Sequence, residues 1–172
     1  ACGSLAWMTM EWLRHGKPSV LGIVTGMVAG LGTITPASGS VGPAGAVVIG
    51  LSAGVICYFA TITLKNRLGV DDSLDVFPVH GVGGMLGLLM AGIFCSPSLG
   101  LFSGNGFSDG IDGIGGQLGV QLTGIVATFV YTAVISWILL RVVNVFVPLR
   151  VDQEDETAGL DIVLHDERGY DL

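Results

Sequence analysis

The sequence predicts an all-α membrane protein with four full transmembrane helices and a partial helix at its start. Three observations carry this. Hydrophobic residues make up 51% of the 172 positions and charged residues 12%, with a mean hydropathy of +0.74; a soluble domain carries about 25% charged residues. Stretches 18–64, 76–108 and 113–140 contain no Asp, Glu, Lys or Arg. Glycine, 28 residues in all, recurs at four-residue spacing in Gly22–Gly26–Gly30, Gly50–Gly54 and Gly83–Gly87, a pattern that lets helix backbones approach closely in lipid. The composition excludes a disordered tail, an ordinary soluble domain and a nucleic-acid module, since no basic patch could hold a phosphate backbone.

Taken in order, residues 1–13 are apolar but too short to span a bilayer. They read as the end of a helix already under way, or as a short interfacial helix. The run 18–64 as one helix would reach about 70 Å at ~1.5 Å per residue, far beyond a ~30 Å hydrocarbon core. It must fold back, and the cluster Thr35-Pro36-Ala37-Ser38-Gly39-Ser40-Val41-Gly42-Pro43 is the break, being built of turn and breaker residues. Spans follow at about 18–35 and 44–64. A third covers about 76–95, with Pro78 in its first turn, where a missing N–H is tolerated. Residues 96–115 are rich in Gly and Ser and read as a loop; a fourth span covers about 116–140. The transmembrane region is thus 1–149 and residues 150–172 form an acidic tail. Eight of the fourteen acidic residues follow Leu149, with only Arg150 and Arg168 against them; such a charge run reads as a solvated segment.

Lysine and arginine orient the chain. Arg14 and Lys17 precede the first full span, Lys65 and Arg67 follow the second, and Arg141, Arg150 and Arg168 follow the fourth. If each span crosses, all seven positive residues fall on one side, and that side is cytoplasmic, the tail included. Cys2, Cys57 and Cys95 are odd in number, far apart and set in apolar sequence; they read as small buried hydrophobes. Neither His15, placed in a loop, nor His165, in the tail, has metal-ligand spacing. Nucleotide and hydrolase motifs are absent, so the chain reads as a non-enzyme with no metal and no cofactor.

One ionisable side chain lies well inside a predicted span: His80, in the string VDDSLDVFPVHGVGG of residues 70–84. Intramembrane ionisable groups are costly and face a pathway or a polar partner. Burial favours neutral imidazole, which offers one donor and one acceptor and suits a small polar molecule able to do both. The competing reading is a histidine satisfied by the backbone of a neighbouring helix. Asp71, Asp72 and Asp75 precede this helix; carboxylates there cap free N–H groups or attract cations in a vestibule. Thr35, at the break, either lines a path or caps a helix end. Trp7, Trp12 and Trp137 read as packing or interfacial-belt residues.

With these residues in hand, the strings GKPSVLGIVTGMVAGLGTITPASG (16–39), VDDSLDVFPVHGVGG and LRVDQEDETAGLDIVLHDERGY (149–170) resemble the C-terminal half of an ammonium transporter of the Amt/Mep type; the Rh branch fits less well. The resemblance covers nearly the whole chain. It implies an inverted-repeat fold of eleven membrane helices with a cytoplasmic C-terminus, a homotrimer with one pore per subunit, residence in the cell membrane, and nitrogen uptake as ammonium, ammonia or methylammonium. It places His80 as the second of two pore histidines, Val76 facing the inner lumen, Thr35 in the turn near the outer site, and Asp72 and Asp75 at the acidic positions. The first histidine, the phenylalanine gate and the outer aromatic site belong to earlier helices absent from this chain. In the tail, Gly159, Leu160, Asp161 and His165 match the regulatory pattern, which in relatives contacts neighbouring subunits and PII-type signalling proteins; Asp166 stands where the family has glycine. The functional expectation is conduction past a buried histidine. The alternative is an ammonium sensor or scaffold signalling through its tail.

Overall fold

The computed structural model describes residues 1–167; Arg168, counted in the charge pattern above, and the residues after it lie outside the described residues. Among those described, the chain is helical throughout, without a strand. The α-helices are α1 (Cys2–His15), α2 (Val20–Ile34), α3 (Pro43–Ile62), α4 (Gly83–Phe94), α5 (Ile114–Phe146), α6 (Gln153–Ala158) and α7 (Leu160–His165). Two π-helical segments, Thr63–Arg67 and Phe77–Val82, flank the loop between α3 and α4. Four stretches are long and apolar enough to cross a membrane: Val20–Ala37, Pro43–Arg67, Phe77–Phe94 and Ile114–Phe146. The chain divides into two compact units, 1–126 and 127–172.

In the first unit α1 packs on α2 and α3, and α2 packs on α3 and α4. The glycine ladders are the contact surfaces. A Cβ added to Gly26 would strike Trp7 and Gly3 of α1; one on Gly54 would strike Gly3 and Ala6; one on Gly87 would land on the carbonyl oxygen of Thr33. Only hydrogen fits at these crossings, so the backbones sit closer than any side chain allows. Around them lie Trp7, Ala29, Cys57, Tyr58 and Val79 on one side and Ala37, Ile49 and Ala91 on the other. Trp7 meets Tyr58 edge to face at 5.5 Å. Cys57 and Cys95 are buried and Cys2 is half-buried, all as free thiols.

The breaks form where the breakers stand. Thr35–Ala37 tightens into a 3-10 turn through Pro36, and Pro43 occupies the first turn of α3, where its fixed φ suits a helix start. The Gly- and Ser-rich loop before α5 is held by its backbone: Asn105 N–H donates to Ser40 O at 3.1 Å, Gly104 N–H to Ser96 O at 2.9 Å and Gly106 N–H to Cys95 O at 2.8 Å.

Two sequence expectations change. His15 is not in a loop; it is the last residue of α1, and its Nε2 lies 3.3 Å from Tyr58 Oη. The helix carries on because Gly16, at φ 75, supplies the left-handed stop one residue later, the common glycine terminator. The fourth long helix is also longer than its charge-free core, since a charge ends an apolar run but does not end a helix. Arg141 instead stacks over Trp137 at 5.2 Å.

The junction of α1 and α2 rests on Glu11. Its Oε2 accepts from Ser19 N–H at 2.7 Å and its Oε1 from Trp7 Nε1–H at 3.3 Å, while Ser19 Oγ accepts from Gly22 N–H at 2.9 Å. A carboxylate is thus laid on the N-terminus of α2, where free N–H groups and the helix dipole favour it. Gly22 leaves the space, since a Cβ there would strike that carboxylate. Glu11→Ala should cost about 1–2 kcal/mol, read as a lower midpoint in thermal unfolding of the full-length protein.

In the second unit, the remainder of α5 presents an apolar surface that includes Phe129, Tyr131 and Trp137, all exposed. The acidic tail carries two short helices that pack on each other, and Arg150 pairs with Glu156 at 3.0 Å. Gly159 separates them at φ 101, and Asp166 ends α7 at φ 51, with its N–H donating to Ile162 O at 3.1 Å. Asp166 adopts the left-handed conformation that glycine takes easily and that Asp, with Asn, takes more readily than other residues.

Candidate functional site

Val76, His80 and Gly84 fall at four-residue spacing along the Phe77–Val82 segment and the start of α4, and that face is uncovered. Val76 is 53% exposed, His80 is exposed, and a Cβ added to Gly84 would meet nothing within 4 Å. The opposite face is packed. Pro78 and Val79 are buried, and a Cβ on Gly83 would sit 2.8 Å from Thr33 Oγ1 and 3.3 Å from Cys57 Sγ. Gly83 therefore seats the helix against α2 and α3, while His80 is exposed.

His80 approaches one other element. A Cβ on Gly32 of α2 would stand 3.6 Å from His80 Nδ1, in ordinary contact. Glycine at 32 leaves the imidazole room beside α2 and offers it no side-chain partner. No described residue hydrogen-bonds either ring nitrogen, so the backbone-satisfied reading of His80 finds no partner among them. Within this chain His80 is exposed, with Gly32 beside it offering no side chain to cover it. Thr35 stands one turn beyond Gly32; it is exposed and its hydroxyl donates to Leu31 O at 2.7 Å, the back-bond of a helix-end threonine.

The acids before His80 have different tasks. Asp72 Oδ1 accepts from Val76 N–H at 2.9 Å and its Oδ2 from Phe77 N–H at 2.8 Å, so its carboxylate caps the start of the helix that carries His80. Asp75 pairs with Lys65 Nζ at 2.8 Å and sits at φ 56. Asp71 accepts from Ser73 Oγ at 3.5 Å. The sequence reading missed the π-helical turns, Gly32 as neighbour of His80, and the Lys65–Asp75 pair. Pro78 was a legible signal for the first, since it lacks the N–H that a regular turn uses. The tail residues Gly159, Leu160, Asp161 and His165 lie in and around α7, in the other unit of the chain.

An all-helical chain with four apolar stretches of spanning length, three of them packed on glycine, belongs to the class of polytopic membrane proteins. The sequence pattern of the Ammonium Transporter Family matches residues 1–170, and the chain belongs to that family. A putative ammonium transporter of Methanothermobacter thermautotrophicus is 47% identical over 174 residues, covering 100% of this chain and 42% of that protein. An ammonium transporter of Bacillus subtilis is 36% identical, covering 99% of this chain and 41% of its own length. Among solved structures, Saccharomyces cerevisiae Mep2 superposes with a TM-score of 0.75 at 38% identity, over 90% of this chain and 35% of that one. A structure described as a sensor Amt protein superposes at 0.82 with 26% identity, over 95% of this chain and 38% of its own. The chain therefore spans about two fifths of the length of these relatives.

Proposed function

We propose that this chain is the C-terminal part of an ammonium transporter of eleven membrane helices, and that His80 lines its pore. The observation that carries the reading is the free imidazole of His80, on an uncovered helix face opposite a glycine. In the whole protein, the helices that precede this chain cover that face, bring the first pore histidine beside His80 and convert an exposed surface into a lumen. The uncovered apolar face of α5 then meets lipid and the neighbouring subunits of a homotrimer, and the tail from residue 150 lies in the cytoplasm of a cell-membrane protein, where Gly159, Leu160, Asp161 and His165 meet neighbouring subunits and a PII-type regulator.

The mechanism follows from desolvation. A bare cation in a medium of low dielectric costs tens of kcal/mol on a Born estimate, so a narrow apolar pore favours ammonia over ammonium. The substrate gives up its proton on the outer side, crosses as a neutral molecule that accepts and donates hydrogen bonds to imidazole, and regains a proton inside. Val76, one turn before His80, forms the apolar wall toward the inner mouth, and the carboxylates of Asp72 and Asp75 shape that mouth while holding the helix start.

The test is uptake of labelled methylammonium by proteoliposomes holding the full-length protein, with and without residues 150–172. Saturable uptake that persists in the truncated protein is the expected result. Absence of uptake from the full-length protein, together with loss of an ammonium response on truncation, would establish the sensor reading instead.

A further inference from the structure

Asp75 holds two structural elements at once. Its carboxylate reaches Lys65 Nζ at 2.8 Å, on the π-helical segment that ends the Pro43–Arg67 stretch. Its carbonyl oxygen accepts from Val79 N–H at 3.0 Å, one residue before His80. Asp75 makes both contacts from a backbone at φ 56, a region that L residues other than Asn and Asp seldom adopt. The Asp75 carboxylate is largely shielded, with 18% of the side chain exposed against 38% for Lys65, so solvent screens this pair less than a surface pair. On the same turn Asp72 fixes the amides of Val76 and Phe77, and Asp75 N–H donates to Asp72 O at 3.3 Å.

These contacts converge on the π-helical turn Phe77–Val82, which carries His80. A π turn is less favourable than an α turn and persists where its surroundings hold it, frequently at functional sites. We infer that Lys65 and Asp75 are positioning residues for His80: their ion pair holds Asp75 in the left-handed conformation, the Asp75 carbonyl holds Val79, and the turn so fixed sets the imidazole beside Gly32 on the uncovered face. Without the pair, Asp75 relaxes toward negative φ, its carbonyl leaves the Val79 N–H, and the ring swings off its bearing. This inference rests on the reading of His80 as a pore residue only for its effect on transport; its structural half stands separately.

Two readouts keep the halves apart, both taken on the full-length protein in proteoliposomes and normalised to folded protein. Lys65→Gln and Asp75→Asn remove the charge pair, and Lys65→Arg keeps it. Hydrogen exchange of the peptide covering 76–83 should quicken about fivefold in the first two variants, the opening expected when a partly shielded pair is lost. The maximal rate of methylammonium uptake should fall by a similar factor, with the half-saturating concentration unchanged. Lys65→Arg should restore both values. Unchanged exchange in Lys65→Gln and Asp75→Asn overturns the clamp whatever transport does. Faster exchange with an unaltered maximal rate, or failure of Lys65→Arg to restore it, overturns the positioning role. If the unmodified protein carries no methylammonium while exchange still responds to Lys65→Gln, the transport reading fails and the clamp stands.

Discussion

His80→Ala in the full-length protein should lower methylammonium uptake by at least about tenfold, equivalent to about 1.4 kcal/mol in the conducting step, while folding is retained. Both halves of that expectation come from the geometry. The imidazole is exposed in this chain and no described residue hydrogen-bonds it, so its removal opens no cavity and strands no buried donor here. The stability change from these contacts should stay within about 0.5 kcal/mol. The loss of transport, by contrast, removes the one group on the open face that can donate and accept a hydrogen bond with ammonia. His80→Gln should retain part of the uptake, because an amide also offers a donor and an acceptor. Uptake by His80→Ala equal to the unaltered protein, with selectivity intact, would remove His80 from the pathway.

Gly87→Ala should unfold the bundle far more readily than Gly84→Ala, although the two glycines lie three residues apart on one helix. The Cβ at 87 would land on the Thr33 carbonyl oxygen, a backbone atom that cannot turn aside, and would press on Pro36 Cδ at 3.3 Å. Overpacking of this kind costs about 1–3 kcal/mol, and α4 must move off α2. At 84 nothing stands within 4 Å, so alanine there should be neutral or gain up to about 1 kcal/mol from helix propensity. Thermal unfolding of the full-length protein separates the two. Gly84→Ala has a second use: it places a methyl one turn beyond His80 on the uncovered face, and a drop in uptake without loss of stability marks that face as the conduit. Equal stability for the two variants would show that the α2–α4 crossing does not depend on Gly87.

Much of the fold was written in local signals. Charge-free runs mark the helices because lipid tolerates few charges, and the Thr35–Pro43 cluster marks the break because proline, glycine and serine dominate it. The four-residue glycine spacing marked close-packing faces on α2, α3 and α4. The fourth long helix runs on past the apolar span ending near Leu140, since Leu140 and Arg141 differ in charge but not in capacity for helix. α1 runs two residues past the apolar segment 1–13 because Gly16, not Arg14, stops the helix.

The site divides along the same line. Composition and spacing alone singled out His80, since an ionisable group in an apolar run is expensive wherever it points. Sequence also placed Asp72 and Asp75 ahead of it but left capping and cation attraction open. Packing separated them: Asp72 lies along its own helix start and caps two amides, while Asp75, turned to φ 56, reaches back to Lys65 across the loop. A period or a motif reports which residues share a face. It cannot report which face a neighbouring helix covers, nor that Gly32 rather than a larger residue stands beside His80, because those depend on contacts between segments far apart in the chain.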